Sequence, residues 1–233
     1  MAFPSTINLS YGQEKVETSG KKLKLGTKGV TPDGRVFYYA RNGSAAITTA
    51  GMIVDAGTAL TVNAHDMDVP AAANTAGTTG ITISVPTTDL TKDQYADGYI
   101  IFNDGPAEGE VYRIKSHPAH DASDTNDVVI TIDEPDGIRT ATTTSSLCGF
   151  LVNPYAAVKI IDGDGTMETG ALGVTTIPMT ASYYGWIQTA GVGSVAVGAA
   201  VGVVGDGLQI SQASSESGRA ELYDLSGEDD IQS

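Results

Sequence analysis

The sequence predicts an all-β protein, a sandwich or barrel of about ten to twelve short strands. Glycine contributes 28 of the 233 residues and charged residues only 18%, and such a turn-rich composition favours short strands over helices. Short apolar runs recur between Gly, Pro and Asp turns, and no long amphipathic helix interrupts them. The chain is long enough to bury a substantial core.

The expected strands begin after the Thr-Pro-Asp-Gly turn at residues 31–34, where Pro presets φ and Asp-Gly supplies a positive-φ corner. The clearest strand pattern is at residues 80–86, where Ile and Val alternate with Thr82 and Ser84. A helical turn is expected only in TTDLTKDQYADG. In chain order, the expected strands are RVFYYA, GMIVDAG, ALTVNA, GITISVP, YIIFND, GEVYRIKSH, DVVITIDEP, YAAVKIIDGDG, YYGWIQTA, SVAVG and GLQIS.

Charge divides the chain into three parts. The net charge is −15, yet residues 1–30 carry five lysines and two glutamates, a net +3 that leaves −18 for the rest. We predict an extended basic N-terminal arm at 1–30, a β-rich body at 31–211 and an acidic C-terminal tail at 212–233. A division of the body into lobes 31–150 and 151–211 stays open. Because the arm shows no apolar period, we expect it to order only on a partner, and the body to fold without it.

The charge-free stretch at residues 183–205 raises two alternatives that its composition disfavours. Its GVGSVA sequence matches a dinucleotide-binding fingerprint, but the valines and glycines that follow do not favour the helix this fingerprint needs. A membrane span is also a poor interpretation, because Leu and Ile are scarce and basic flanks are missing. We predict a core hairpin, in which one strand carries Trp186 as a core marker and a strand of valines returns beside it.

No set of residues matches a catalytic or metal-binding pattern, so we predict a non-enzymatic protein with no cofactor and no catalytic or metal site. His117 and His120 stand three apart, but Pro118 breaks any helix between them. The Asp-Gly-Asp-Gly sequence at 162–165 opens like a calcium loop and then lacks the later ligands. Whether the Asp-rich loops, Asp121–Asp127 and Asp162–Asp164, bind a cation stays open.

Cys148 is the only cysteine, so no internal disulfide is available, and we expect a buried thiol. The N-terminal residues show neither the basic region nor the apolar core of a signal peptide. We therefore expect the protein to stay in a reducing compartment. The acidic body disfavours both nucleic acid and membranes as partners.

Four stretches resemble a family of tailed-bacteriophage virion proteins of the head-decoration, or cement, type: TPDGRVFYYARNG, QYADGYIIFNDGPAEGEVYRIKSH, NPYAAV and YYGWIQTAGVGSVAVG. The likeness runs from about Thr31 to Ile210. It implies a structural protein that is made in the host cytoplasm and sits on the capsid exterior of the virion. It also implies that the protein binds the major capsid protein, stabilises the head lattice and forms a homotrimer.

A basic arm on an acidic body suggests that the arm touches something the body does not. The predicted capsid contacts are therefore Lys15, Lys21, Lys22, Lys24 and Lys28. Two alternatives stay open. One is a tail or neck structural protein, which would share this composition. The other is a β-rich host-surface (carbohydrate) adhesin, for which the pairs Tyr38-Tyr39 and Tyr183-Tyr184 would supply aromatic platforms.

Overall fold

The computed structural model describes residues 6–57, 68–162, 170–198, 208–211 and 214–222. The all-β prediction is confirmed, because these residues form fifteen strands and only single turns of 3₁₀ helix. None of the helices in these ranges is long and apolar enough to cross a membrane. The chain divides into two compact units. We call Met1–Thr58 together with Pro154–Ser233 the terminal unit, and Ala59–Asn153 the inserted unit.

The strands in chain order are β1 Thr6–Asn8, β2 Lys28–Val30, β3 Val36–Arg41, β4 Ile53–Ala56, β5 Val69–Pro70, β6 Gly80–Ser84, β7 Tyr99–Asp104, β8 Val111–Ser116, β9 Asp127–Ile132, β10 Leu147–Leu151, β11 Val158–Ile160, β12 Gly173–Thr175, β13 Tyr184–Ala190, β14 Leu208–Ile210 and β15 Ala220–Leu222. Every expected run within the described residues contains a strand, except SVAVG. The expected run ALTVNA lies outside the described residues. The expected helical turn is a series of tight turns, in which Asp93 and Asp97 take left-handed φ angles of 59° and 65° and so end any helix.

The terminal unit is built on a seven-stranded sheet in the order β1-β2-β3-β13-β12-β4-β11. Strand β11 also meets the chain directly after β3, because Asn42 and Val158 form an isolated bridge and the Gly43 N–H donates to the Val158 carbonyl at 2.8 Å. This second pairing brings β3, β13, β12, β4 and β11 round into a nearly closed sheet. One face of it carries a buried cluster of Ala40, Ile47, Met52, Val54, Val158, Met179 and Ile187.

The N-terminal residues cover part of the other face. β1 pairs in parallel with β2, and β2 pairs antiparallel with β3, so residues 6–30 add two strands to the sheet. A Cβ on Gly29 would lie 2.6 Å from Leu9 Cδ1 and 2.9 Å from Trp186 Cζ3, so only glycine leaves room for these side chains. The segment is thus ordered by the chain's own core. This second buried cluster consists of Leu9, Leu25, Phe37, Tyr39 and Trp186.

The stretch after β13 does not return as the predicted strand of valines. Both edges of β13 are occupied, by β3 and by β12, so a returning strand has no free edge to pair with. The chain passes Gly51 instead, whose carbonyl accepts a hydrogen bond from the Ala196 N–H at 2.7 Å, and Val197 bridges Ala220. The hairpin prediction is therefore wrong where it can be checked; residues 199–207 lie outside the described part.

The C-terminal strands cover a further part of the same face. β14 pairs antiparallel with β15, and Ala220 packs with Ile53 and Ile161 in a third buried cluster. The start of the predicted acidic tail, residues 214–222, therefore belongs to the terminal unit. The rest of that tail, residues 223–233, lies outside the described part.

The inserted unit is built on a six-stranded sheet in the order β5-β10-β7-β8-β9-β6. Its two outermost strands meet where Ala71, directly after β5, bridges Ile83 in β6, so this sheet also curls toward closure. The alternation predicted for GITISVP is present, because Ile81 and Ile83 are fully buried while their neighbours are half-buried. The fully buried side chains of these strands include Ile81, Ile83, Ile100, Phe102, Ile114 and Ile130.

Candidate functional site

The five predicted contact lysines lie on one segment of the terminal unit, residues 11–28, which we call the lysine segment. Its backbone is fixed at several points. The Lys22 N–H donates to the Tyr39 hydroxyl at 3.1 Å, and the Thr18 and Tyr184 backbones exchange two hydrogen bonds of 2.9 Å. Four of the lysines are exposed and the last is half-buried: Lys15, Lys21, Lys22, Lys24 and Lys28.

The buried side chain of Glu14 fixes the start of the lysine segment. Only 2% of its side chain is exposed, and its carboxylate accepts from the Gly12 N–H at 2.6 Å and from Arg35 Nη2 at 3.4 Å. Arg35 also pairs with Asp33, with Nε 2.8 Å from Oδ2, and this hydrogen bond raises the pKa of Arg35. A buried carboxylate bound by a guanidinium and an N–H fixes the turn that carries Lys15.

Glu17 forms a second attachment. Its carboxylate accepts from the Thr180 N–H at 2.8 Å and from the Thr180 hydroxyl at 2.7 Å. The Thr176 hydroxyl adds a bond of 3.1 Å to the Glu14 carbonyl. The two acidic side chains of the lysine segment are therefore bound to the body of the unit, while most of its lysines are exposed to water.

Trp186, the predicted core marker, lies in the cluster beneath this segment with 6% of its surface exposed. Tyr39 packs edge-on against it, with 5.3 Å between the ring centroids. Tyr39 also stacks on Tyr184, and Tyr38 stacks on Tyr155 at 5.2 Å. Three of the four tyrosines that suggested sugar-binding platforms, Tyr38, Tyr39 and Tyr184, thus pack against other rings of the terminal unit.

The two histidines considered as metal ligands are used in hydrogen bonds to the backbone. His117 accepts from the Tyr95 N–H at Nε2, 3.1 Å, and donates from Nδ1 to the Pro118 carbonyl at 2.8 Å. Burial lowers the pKa of His117. His120 donates from Nε2 to the Val85 carbonyl at 2.8 Å. These contacts attach residues 85–97 to the chain after β8.

Cys148 is fully buried in β10, and its thiol donates to the Val69 carbonyl at 3.4 Å. Burial raises the pKa of this thiol to about 12. Nucleophilic and metal-binding cysteines act as thiolates, and at neutral pH this group is protonated. Its place in the fold is that of a small apolar side chain.

The Asp-rich loops do not assemble a metal site in the part of the chain that the structure describes, where no three His, Cys, Asp or Glu side chains stand together. Asp121 accepts from the hydroxyl and the N–H of Ser123 at 2.6 and 2.9 Å, and these bonds lower its pKa. Asp162 pairs with Lys159, with 3.0 Å between Oδ2 and Nζ. Asp164 and His65 lie outside the described residues.

A cleft of about 550 Å³ opens on the terminal unit where the end of β3 approaches β11. The Arg41 guanidinium has no hydrogen-bond or ion-pair partner among the described residues. The sequence analysis missed this site because its lining comes from distant segments, and the only local signal is an arginine before Asn-Gly at 41–43. Its charged and hydroxyl-bearing side chains are Arg41, Ser44, Lys159, Asp162 and Ser182.

These observations define an all-β protein of two units with two candidate binding features, the lysine segment and the polar cleft. Comparison with known families, curated proteins and solved structures finds no match to this chain.

Proposed function

We propose that this protein is a non-enzymatic bacteriophage decoration (cement) protein that binds the outer surface of the head and stabilises its lattice. The observation that carries the proposal is the division of charge in the lysine segment. Its glutamates are bound to the terminal unit, whereas four of its five lysines are exposed. Because the backbone that carries these cations is already fixed, binding costs the rotamer freedom of the lysine side chains but no ordering of the backbone. We infer that they contact an acidic surface of the major capsid protein.

The rest of the molecule supports display on the capsid exterior. Outside residues 1–30 the chain carries a net charge of −18. A strongly acidic body is repelled by packaged DNA and by anionic cell surfaces, and it keeps many displayed copies soluble. Repetition on a lattice also multiplies modest contacts into stable attachment.

The chemistry of the inserted unit supports a binding role over a catalytic one. His117 and His120 hydrogen-bond to backbone groups, and Cys148 is buried and protonated. The resemblance of residues 31–210 to phage decoration proteins suggests which lattice is bound. That resemblance also implies a homotrimer of this chain, which would bring three lysine segments to one site on the capsid surface.

Two other functions remain alternatives to this proposal. A tail or neck structural protein would share the fold and the charge, and differs in copy number and in its place on the virion. A carbohydrate-binding adhesin is less well supported, because Tyr38 and Tyr39 stack on Tyr155 and Tyr184. Cryo-electron microscopy of the particle separates head from tail, and glycan-array binding by the purified protein would favour the adhesin.

Binding to undecorated phage heads tests the proposal directly. The purified protein should co-sediment with the heads, at saturation in a fixed ratio to the major capsid protein, and should delay their thermal disruption. Raising the salt concentration should weaken binding, because exposed ion pairs are screened. A protein that stays in the supernatant at every concentration and low salt would contradict the proposed function.

Matched charge reversals test the role of the lysine segment. Lys15→Glu with Lys22→Glu should weaken binding to heads about 10-fold or more, because attraction to an acidic surface becomes repulsion at both positions. Lys92→Glu with Lys115→Glu changes the net charge equally at exposed positions of the inserted unit, and should leave binding within about 2-fold. Equal loss in both variants would mean that total charge, and not the segment, governs binding.

Light scattering tests the trimer. The protein in solution, or after release from heads, should have three times the 24.0 kDa mass of the chain. A single-chain mass in both states, together with solitary copies on the particle, would rule the trimer out.

A further inference from the structure

The cleft between β3 and β11 has walls that are fixed before any ligand arrives. The Asn42 Nδ2 reaches the carbonyls of Ala45, Met179 and Thr180 at 2.9, 3.1 and 3.1 Å. The Ser182 N–H donates to the Gly43 carbonyl at 2.8 Å. These bonds tie the loop after β3 to the turn before β13. A site with walls held in this way loses little entropy when a ligand binds.

Arg41 is the cation that this cleft leaves available. Its backbone is pinned, because its N–H donates to the Tyr155 carbonyl at 2.9 Å, and its side chain is half-buried. Lys159, the other cation in the lining, is paired with Asp162. In a chain with 28 acidic and 13 basic side chains, an arginine without a carboxylate among the described residues is a group that a ligand can satisfy.

We propose that the cleft binds a carboxylate side chain of an extended acidic peptide, and that the Arg41 guanidinium donates two hydrogen bonds to this carboxylate in a bidentate pair. Ser44 and Ser182 belong to the same lining, and their hydroxyl groups can donate to the remaining acceptor positions. Much of the rest of the wall consists of small residues, which leave room for a peptide main chain: Gly43, Ala45, Ala46, Gly57 and Ala157. This site does not depend on the lysine segment or on binding to heads.

The acidic peptide has two possible sources that share this chemistry. One is a partner protein. The other is the chain's own terminal sequence at 224–233, DLSGEDDIQS, which carries four acids. Gly218 lies against the side chain of Ile160, which is one of the lining residues of the cleft. The experiment therefore uses this sequence as its probe and distinguishes the two sources.

The test measures fluorescence anisotropy of a labelled DLSGEDDIQS peptide against full-length protein. We expect saturable binding that weakens at high salt, and no binding of the same peptide with every acid replaced by its amide. Arg41→Gln should weaken binding about 10-fold or more, because a charge-assisted pair is lost. Arg139→Gln, an exposed arginine of the inserted unit, should leave binding unchanged.

A full-length variant with a neutral terminus identifies the source: Asp224→Asn, Glu228→Gln, Asp229→Asn and Asp230→Asn. If it binds the peptide more tightly than the wild type does, the chain's own terminus occupies the cleft. If the two bind equally, the ligand is a partner protein. The proposal is overturned if neither protein binds the acidic peptide, or if Arg41→Gln binds it as well as the wild type does.

Discussion

The terminal unit and the inserted unit each curl a sheet until two of its strands meet at an isolated bridge, Asn42 with Val158 in one and Ala71 with Ile83 in the other. They differ in what covers the sheet. In the terminal unit, the N-terminal residues and the C-terminal strands bury apolar side chains on the second face. In the inserted unit several large apolar side chains stay exposed on the strands: Tyr99, Val111, Val129 and Leu151.

The difference lies in how each unit obtains its stability. The terminal unit buries apolar area with pieces from both ends of the chain, so its core depends on residues far apart in sequence. The inserted unit is one continuous segment, so its core needs no piece from either end of the chain. Polar side chains attach its loops, as Asn42 does in the terminal unit. Asn74 shows this well, because its Oδ1 accepts from the Thr82 N–H at 2.8 Å and its Nδ2 reaches Thr142 Oγ1 at 2.9 Å.

Deleting residues 1–30 should have the largest effect and should separate the two units. It removes β1, β2, Leu9 and Leu25, and each buried leucine contributes about 2–5 kcal/mol, against about 5–15 kcal/mol for a whole domain. We expect Trp186 emission to shift to the red and to become quenched by iodide, while hydrogen exchange in β6 to β9 stays slow. Unshifted emission would mean that residues 1–30 are an arm the body does not need.

Gly29→Ala tests the same cover with a single methyl group. Leu9 and Trp186 leave no room for it, so we expect the free energy of unfolding to fall by about 1–3 kcal/mol. Gly20→Ala is the control in the same segment, since nothing lies within 4 Å of the added atom, and it should stay within about 0.5 kcal/mol of the wild type. Urea unfolding followed by Trp186 emission measures both, and equal values would mean that the segment is loosely packed.

Acid should weaken the inserted unit through His117, the smallest of the three effects. Burial lowers the pKa of His117 in the folded protein, so the unfolded chain binds the proton more readily. The stability that neutral His117 contributes is therefore complete above the unfolded pKa of about 6.5. It is lost as pH falls below that value. Urea unfolding at pH 7 and pH 5 measures this effect. We expect His117→Gln to be less stable than the wild type at pH 7, but its free energy of unfolding should fall less between pH 7 and pH 5. Parallel losses in the two proteins would argue against a buried neutral histidine.

The sequence predicted most strands because alternation within one strand is a local signal. It did not predict the order of the strands or the closing bridges. Each bridge depends on a single pair of residues, and Asn42 and Val158 are also far apart in sequence. Residues 1–30 were expected to order only on a partner because Leu9, Leu23 and Leu25 follow no strand or helix period. Their contacts with Phe37 and Trp186 appear only once the sheet has formed.

The candidate sites divide in the same way. The lysines were visible as a cluster of charge, although their attachment through Glu14 and Glu17 was not. The cleft was invisible, because Arg41 and Ser182 are brought together only by the pairing of β3 with β13 and of Asn42 with Val158. The returning valine strand failed as a prediction because no sequence pattern shows that both edges of β13 are occupied.

The single tryptophan and the single cysteine fall in different units. Indole emission therefore follows the terminal unit, whereas Cys148 is fully buried in the inserted unit, with its thiol pKa raised to about 12. A thiol reagent needs an accessible thiolate, so labelling of Cys148 has to wait until the inserted unit opens. The wild-type chain thus carries a fluorescence probe of unfolding in one unit and a thiol-labelling probe in the other. Comparing the rate of the Trp186 emission change with the rate of Cys148 labelling tells whether the two units open together or separately.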